Sequence, residues 1–345
     1  MKSNKNSDSI SANAMAATSH PLATEEALNI LKKGGNAVDA AIAASICLSV
    51  VEPNSTGIGG DCFAIVKMEN KDPISYNGSG IAPKKANFEF FESKNIDKIE
   101  LTTPHSVTIP GALDAWKTIH DEHGKLDFEE LFLNSINYAE NGYKVTKKVS
   151  EAWEKSFKKL NSHKITKNLY LKHGKVYKNN ELRKNIPLAN TLKLIKKNGI
   201  KEFYQGSIAE DMVESLNEIG GLHSIEDFSI QKTLRSKTIS SNLKDMTVHQ
   251  CPPNGPGVTV LLMLKLLEKL KINKFNPDSV ERFHLEAEVT KLCYKIREEN
   301  IADPNYISID LEKILSEQNI QELFDNISLN KCYKINDLKI PNHPE

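Results

Sequence analysis

Arginine is nearly missing from this chain: of 45 basic residues, only Arg183, Arg235, Arg282 and Arg297 are arginine. Lysine supplies the rest, so only those four positions can offer a carboxylate the planar, two-pronged fork of a guanidinium. An excess of either charge is missing too, because 45 acidic residues balance the basic ones and the isoelectric point is about 7.1. Such a surface has no field to gather nucleic acid or an anionic membrane, and neither is an expected partner. Cysteine is scarce: Cys47, Cys62, Cys251, Cys293 and Cys332 are scattered and form no CxxC pair, which argues against a disulfide scaffold or a zinc ribbon. Cys47, Cys62 and Cys293 lie in apolar runs and read as buried structural thiols. No apolar run is long enough to cross a bilayer. The longest, Ala37–Val51, spans 15 residues and is interrupted by Asp39, Ser45 and Ser49, which suits a core helix. The polar stretch MKSNKNSDSISANAMAATSH lacks the apolar segment of a secretory signal, so a cytoplasmic location is expected.

What remains is the composition of a folded soluble protein: 345 residues, 39% hydrophobic, with a mean hydropathy of −0.42. That length allows two domains of roughly 150 residues or one large one. Residues 1–13 carry no apolar period and read as a flexible lead-in, leaving 14–345 as the folded region. Thr24 is the expected cap of a first helix, with Glu25 and Glu26 in its first turn and Gly34 and Gly35 at its end. Asn36 restarts the chain as a helix with no polar face, which must be enclosed by other elements. Beyond Pro53, the turn Asn54–Asp61 leads into the run CFAIVKM, and PISYNG follows as the second arm of a β-hairpin. Helices are expected at Gly111–His123 and Phe128–Asn141, the second opened by a capping box of Asp127 and Glu130. Glu151–Leu160 and Leu188–Lys197 show helical spacing, whereas Asn161–Asn185 is polar and irregular and reads as a surface excursion. Ser207 with Glu210 forms another box, and Gly220 and Gly221 stop that helix. Short strands at Thr238–Ser241 and Thr247–Gln250 precede the turn CPPNGPG and an apolar helix, and the longest helix runs Ser279–Asn300. Helices outnumber strands and no βαβ alternation appears, which excludes Rossmann and TIM-barrel architectures in favour of layered helix and antiparallel sheet.

The turn GIGGD (Gly57–Asp61) lacks both the G-x-G-x-x-G order and a Walker lysine, and it precedes a strand instead of opening a helix, so it is no phosphate cradle. It reads as a tight turn with left-handed glycines, or as backbone N–H groups lining a substrate pocket. CPPNGPG is a stiff turn whose N–H groups could face a ligand anion. The ten histidines show no HExxH or other metal spacing, so neither a metal nor a cofactor is expected. His20 and His284 read as structural. His284 shares a helix face with Glu288, four residues on, and that pair reads as a salt bridge. No GxSxG elbow or other nucleophile signature is present.

The blocks taken together are more specific than any one. Met15–Val66 (MAATSHPLATEEALNILKKGGNAVDAAIAASICLSVVEPNSTGIGGDCFAIV) closely resembles the start of the gamma-glutamyltranspeptidase (gamma-glutamyltransferase) family. The resemblance continues in order through GSGIAPKKA, SVTIPGALDAW, LFLNSINYAENGYKV, FYQGSIAEDMVESLNEIGGLHSIEDF, CPPNGPGVTVLLMLKLLE and HLEAEVTKLCYKIREENIADP. It implies an α+β fold, the αββα sandwich of N-terminal nucleophile hydrolases, of which this chain supplies the large-subunit part. It also implies a precursor that cuts itself in two. The new N-terminal threonine of the small subunit then attacks a γ-glutamyl amide, its own α-amine acting as base. No cofactor is implied. The partners implied are that small subunit and a small-molecule γ-glutamyl or acyl amide.

Two departures from the family stand out. The sequence closes at IPNHPE (Ile340–Glu345), and the resemblance places the threonine just beyond Glu345; no catalytic residue is therefore expected in this chain, which is expected to be inactive alone. A truncated, non-catalytic remnant is the alternative reading. Second, typical transpeptidases carry an arginine four residues before the proline of the GSGIAP block, where it grips the donor's α-carboxylate. Here that position is Ser79, and Ile81 stands where an acylase-like branch has its arginine. Losing such a contact costs about 2–5 kcal/mol of recognition, and Lys84 and Lys85 are the nearest cations in sequence. Ser79 and Ile81 are thus the altered carboxylate site, with Gly59, Gly60 and Asp61 as expected pocket backbone.

Overall fold

The computed structural model describes residues 11, 13–332 and 334, so only two residues of the expected lead-in fall within it. The described chain is about 52% helical and 10% strand, the mixed but helix-rich composition expected. It divides into two compact units: residues up to Cys62 with Gly78–Thr233, and Phe63–Asn77 with everything from Leu234 onward. The crossing points are the first residue of β1 (Cys62–Val66) and the last of β2 (Ile74–Gly78).

The first unit opens with α1 (Pro21–Lys32), one turn earlier than Thr24 suggested. Pro21 sits at a first-turn position, where its missing N–H costs nothing, and His20 is the cap, its Nδ1 accepting the Leu22 N–H at 3.2 Å. Glu26 is therefore not a first-turn charge. It is buried and accepts a 2.6 Å hydrogen bond from Asn134. Gly34, at φ +94°, ends the helix region. Asn36 and Asp39 then form a reciprocal cap for α2 (Ala37–Val51), and the Asp39 carboxylate also accepts the Lys125 and Leu126 N–H groups at 3.1–3.3 Å. With Ile42, Ala43, Ile46, Cys47 and Val50 all buried, α2 is the enclosed support that its lack of a polar face demands. After α3 (Phe88–Ser93), both α4 (Ala112–His123) and α5 (Leu133–Asn141) pack on α2.

Two expected capping boxes do not form. Asp127 makes no side-chain cap, and Phe128–Phe132 winds as a 3₁₀ turn before α5. Ser207 turns its hydroxyl to Glu202 Oε1, 2.6 Å away. At Ser207 the contact with Glu202 prevails over the local signature. A box does form at Ser224 and Asp227, at the head of the helix Ile225–Ser229. The stretch 161–185 is also more ordered than its polarity implied. It holds the helix Lys164–Tyr170 and the short strand β4 (Leu182–Arg183), which pairs antiparallel with β3 (Tyr143–Lys144) and places Arg183 opposite Tyr143. Arg183 is wholly buried among aromatic rings.

In the second unit β2 lies between β1 and β5 (Leu234–Lys237), antiparallel to β5 with Tyr76 opposite Arg235. The hairpin β6 (Ile239–Leu243) and β7 (Met246–Gln250) follows. The helices Gly257–Lys269, Val280–Asn300 and Glu317–Phe324 enclose a core that includes Val258, Leu262, Leu266, Val289, Leu292, Ile296 and Leu323.

A buried histidine in the first unit makes stability depend on pH. His223 Nε2–H donates to the Val107 carbonyl at 2.9 Å, while its Nδ1 is buried without a partner. Burial pushes the His223 pKa below the usual value near 6.5. The folded ring then binds its proton less readily than the unfolded one. Its contribution is complete above about pH 6.5 and is lost as the pH falls through the window beneath. Burial lowers His20 in the same way. The urea midpoint should fall between about pH 7.5 and pH 5.5, and His223→Gln, which keeps a donor for Val107, should flatten that slope. An unchanged slope in the variant would remove His223 from the account.

Candidate functional site

The positions singled out in the sequence converge within the first unit on a junction made mostly of backbone. The turn closes with the Gly60 N–H donating to the Gly57 carbonyl at 3.2 Å. The Gly60 carbonyl accepts the Gly111 and Ala112 N–H groups, both at 2.9 Å, where α4 begins. Asp61 follows and accepts the Gly80 N–H on Oδ1 at 2.9 Å. Gly60 and Asp61 therefore act first as fasteners between the glycine turn, the 78–81 segment and the start of α4. None of Gly57, Gly59 and Gly60 has a positive φ, so the expected left-handed turn is not what selects glycine here. A Cβ on Gly59 would meet nothing within 4 Å, and Gly59 is exposed.

The Ser79–Ile81 segment is held at both ends by one side chain that the sequence did not flag. Gln231 donates Nε2–H to the Ser79 carbonyl and accepts the Ile81 N–H on Oε1, both at 3.1 Å. Ile109 donates its N–H to the Ile81 carbonyl at 2.9 Å. Gly80 lies so close to Ile109 that a Cβ would stand 1.8 Å from the Ile109 carbonyl oxygen, and one on Gly111 would stand 2.2 Å from the Gly78 oxygen. Two further fasteners flank the segment. Asp227 accepts the Lys84 N–H at 3.0 Å. The Tyr204 hydroxyl accepts the Asp114 N–H and donates to the Pro110 carbonyl at 2.8 Å; burial raises its pKa, so it stays a neutral donor. Ser79 and Ile81 are thus fixed in backbone position and half-buried, while Lys84 and Lys85 are exposed. The only local sign of Gln231 was its place just after the DFSI turn.

In the second unit the CPPNGPG turn is tied to the first two strands. Asn77 Nδ2 donates to Asn254 Oδ1 at 2.8 Å, and the Cys251 thiol lies 3.8 Å from the Ala64 carbonyl. The apolar helix starts at Gly257, where a Cβ would sit 2.1 Å from the Cys251 oxygen.

The thiols divide by burial. Cys47 and Cys293 are buried, and burial pushes both up to about 12, which makes them the inert structural thiols expected. Cys62 is only half-buried and Cys332 is exposed. The histidines bring a correction. Sequence spacing suggested no metal cluster and a His284–Glu288 salt bridge, but Glu288 pairs with Lys291 at 2.6 Å, and His284 and Glu288 gather with Cys332, their ligand atoms within 4.8 Å of one another. Cys332 is distant in sequence, so no motif could register it.

Comparison with known proteins identifies the family and the fold. A sequence model of the family described as Gamma-glutamyltranspeptidase matches residues 23–343. The glutathione hydrolase-like YwrD proenzyme of Bacillus subtilis (strain 168) is 32% identical over 323 residues, covering 93% of this chain and 61% of that protein. The chain therefore spans about three-fifths of this relative's length. The crystal structure of Helicobacter pylori gamma-glutamyltranspeptidase superposes with a TM-score of 0.89 at 24% identity, over 97% of both chains, which is a likeness of fold. Cephalosporin acylase from Bacillus halodurans superposes with a TM-score of 0.83 at 29% identity, over 95% of this chain and 63% of that one. The α+β fold is thus that of the N-terminal nucleophile hydrolases, and the chain belongs to the gamma-glutamyltranspeptidase family.

Proposed function

We propose that this chain is the larger part of a gamma-glutamyltransferase- or glutathione hydrolase-like amidase whose nucleophile is a threonine at the start of a second chain cut from the same precursor. The threonine hydroxyl attacks the acyl carbonyl carbon, the amine leaves with a proton, and the acyl-enzyme passes to water or to an acceptor amine. The carrying observation is the unbroken family match over residues 23–343, with the fastened Ser79–Ile81 segment at the position where resemblance puts the donor-gripping arginine. With Ser79 and Ile81 there, recognition of the donor's α-carboxylate is weakened, which favours acyl amides less dependent on that charge. The bare, exposed Gly59 supports close approach of a substrate or chain to the turn. Docking of the second chain is supported by β1, which among the described residues is an edge strand and whose Phe63 and Ile65, on one face, are 43% and 40% exposed, since a sheet edge with apolar side chains is a natural place for another strand to add.

Purifying the protein from its source and measuring intact masses tests this directly. A companion chain beginning with threonine, together with hydrolysis of γ-glutamyl or simpler acyl anilides, is the expected result. A lone chain, or a two-chain protein that hydrolyses neither class, overturns the proposal. In the two-chain enzyme, Ser79→Arg should lower KM for a γ-glutamyl anilide about tenfold while changing kcat little. An unaltered KM would place carboxylate recognition elsewhere.

A further inference from the structure

We propose that His284, Glu288 and Cys332 form a zinc site that clasps the turn Ser328–Cys332 to the long helix of the second unit. His284 and Glu288 stand one turn apart on Val280–Asn300 and so project from the same face. His284 Nε2–H donates to the Ser328 carbonyl at 2.7 Å, the kind of outer contact that fixes a ligating imidazole's tautomer and leaves the other nitrogen for metal. That other nitrogen, Nδ1, faces the Cys332 sulfur at 3.8 Å. The turn delivers the sulfur: Ser328 and Lys331 pair across it, and the Asn330 N–H donates to Ser328 Oγ at 3.2 Å, which folds Cys332 back onto the helix.

The spacing suits a tetrahedral ion. With zinc bonds of about 2.3 Å to sulfur and 2.0 Å to nitrogen, two such ligands stand roughly 3.6 Å apart, close to the 3.8 Å found. All three ligand atoms lie within 4.8 Å of one another, so a small turn of the carboxylate from Lys291 toward the ion completes the set. Glu288 is only 3% exposed, and the dication replaces the Lys291 ammonium as the counter-charge of that buried carboxylate. One thiolate and one carboxylate neutralise the ion, while the imidazole binds uncharged. On binding, the Cys332 S–H bond breaks, the sulfur–zinc bond forms, and the proton passes to solvent. Cys332 is exposed, which leaves the fourth position to water. A sulfur and an imidazole nitrogen select zinc over calcium or magnesium, which prefer oxygen.

The inference does not rest on the proposed amidase, because its readouts require no activity. The untagged full chain, reduced and stripped with chelator, is titrated with zinc and, separately, with cobalt. One zinc equivalent per chain and a thiolate-to-cobalt charge-transfer band are expected. Cys332→Ser should abolish the band and weaken zinc binding at least about tenfold, as should His284→Asn, whereas Cys62→Ser should keep both. Since Cys332 is exposed, Cys332→Ser should melt like the parent without metal, which separates loss of a ligand from loss of fold. Absence of stoichiometric zinc, or a band that persists in Cys332→Ser, overturns the site.

Discussion

Replacing Gly80 with alanine should destabilise the chain by about 3 kcal/mol or more, a fall in melting temperature of roughly 4 °C or more for a protein of this size. The added Cβ would lie 1.8 Å from the Ile109 carbonyl oxygen and 2.7 Å from Thr108 Oγ1. Backbone cannot swing away as a flexible side chain can, and here both partners are held. Gly80 is fastened through its N–H to Asp61, and Ile109 through its own N–H to the Ile81 carbonyl. Relieving the clash therefore means giving up hydrogen bonds on both sides of the junction. Gly111→Ala should act similarly, since its Cβ would meet the Gly78 oxygen at 2.2 Å. Gly59→Ala is the internal control. It has open space around the added carbon and should shift stability by no more than about 0.5 kcal/mol. Thermal melts of the three variants decide the matter: Gly80→Ala melting with the parent would mean that the junction is not a rigid support.

The contrast between Gly59 and Gly80 also shows where sequence reasoning reaches its limit. Both are glycines in short glycine-rich turns, yet only one is dictated by neighbouring backbone, and those neighbours sit some thirty residues further along the chain. Elements built from near neighbours in sequence were legible. The unbroken apolar composition of Ala37–Val51 announced an enclosed helix, the two runs around Lys67–Pro73 announced adjacent strands, and Ser279 announced the start of the longest helix. All three stand in the structure. Features built from distant partners were not legible. His20 displaced Thr24 as the first cap because a ring nitrogen can accept as well as a hydroxyl can. The Ser207 signature lost to a contact with Glu202, and the Asp127 box gave way to a 3₁₀ turn.

The candidate site divides along the same line. Ser79, Ile81, Gly60 and Asp61 were found because they lie in recognisable blocks, and the structure gathers them at one junction. Gln231, which clamps Ser79 and Ile81, is 150 residues away from Ile81 in the chain and lies in no pattern that chemistry alone would flag. Cys332 is separated from His284 by 48 residues, so a search for short metal motifs had no means of joining them. An amide and a thiol become functional candidates through the fold that brings them to their partners.

The second large effect is expected at Trp153, where an alanine should cost about 5 kcal/mol or more. Arg183 is wholly buried and no carboxylate lies within ion-pair distance of it among the described residues. Its guanidinium carbon lies 5.1 Å from the Trp153 ring, 5.2 Å from Tyr170 and 6.0 Å from Tyr177. Nη1–H donates to the Tyr143 hydroxyl at 3.2 Å and Nη2–H to the Leu169 carbonyl at 3.5 Å, while Nε is left without a partner. Burial raises the Tyr143 pKa, opposed more weakly by Arg183, so Tyr143 remains a neutral phenol and supplies no compensating charge. The negative faces of the rings are then the main electrostatic support of this cation. Removing the indole leaves a cavity, worth about 3–5 kcal/mol, and strips the guanidinium of its nearest ring, worth roughly 2 kcal/mol when desolvated. Arg183→Met removes the charge together with its desolvation cost, and it should be the milder change for that reason. With the charge gone, Trp153→Ala should cost only the cavity. Urea denaturation of the two single variants and the double variant should therefore show a coupling of at least about 1 kcal/mol. Strictly additive losses would mean that the rings serve Arg183 by packing alone.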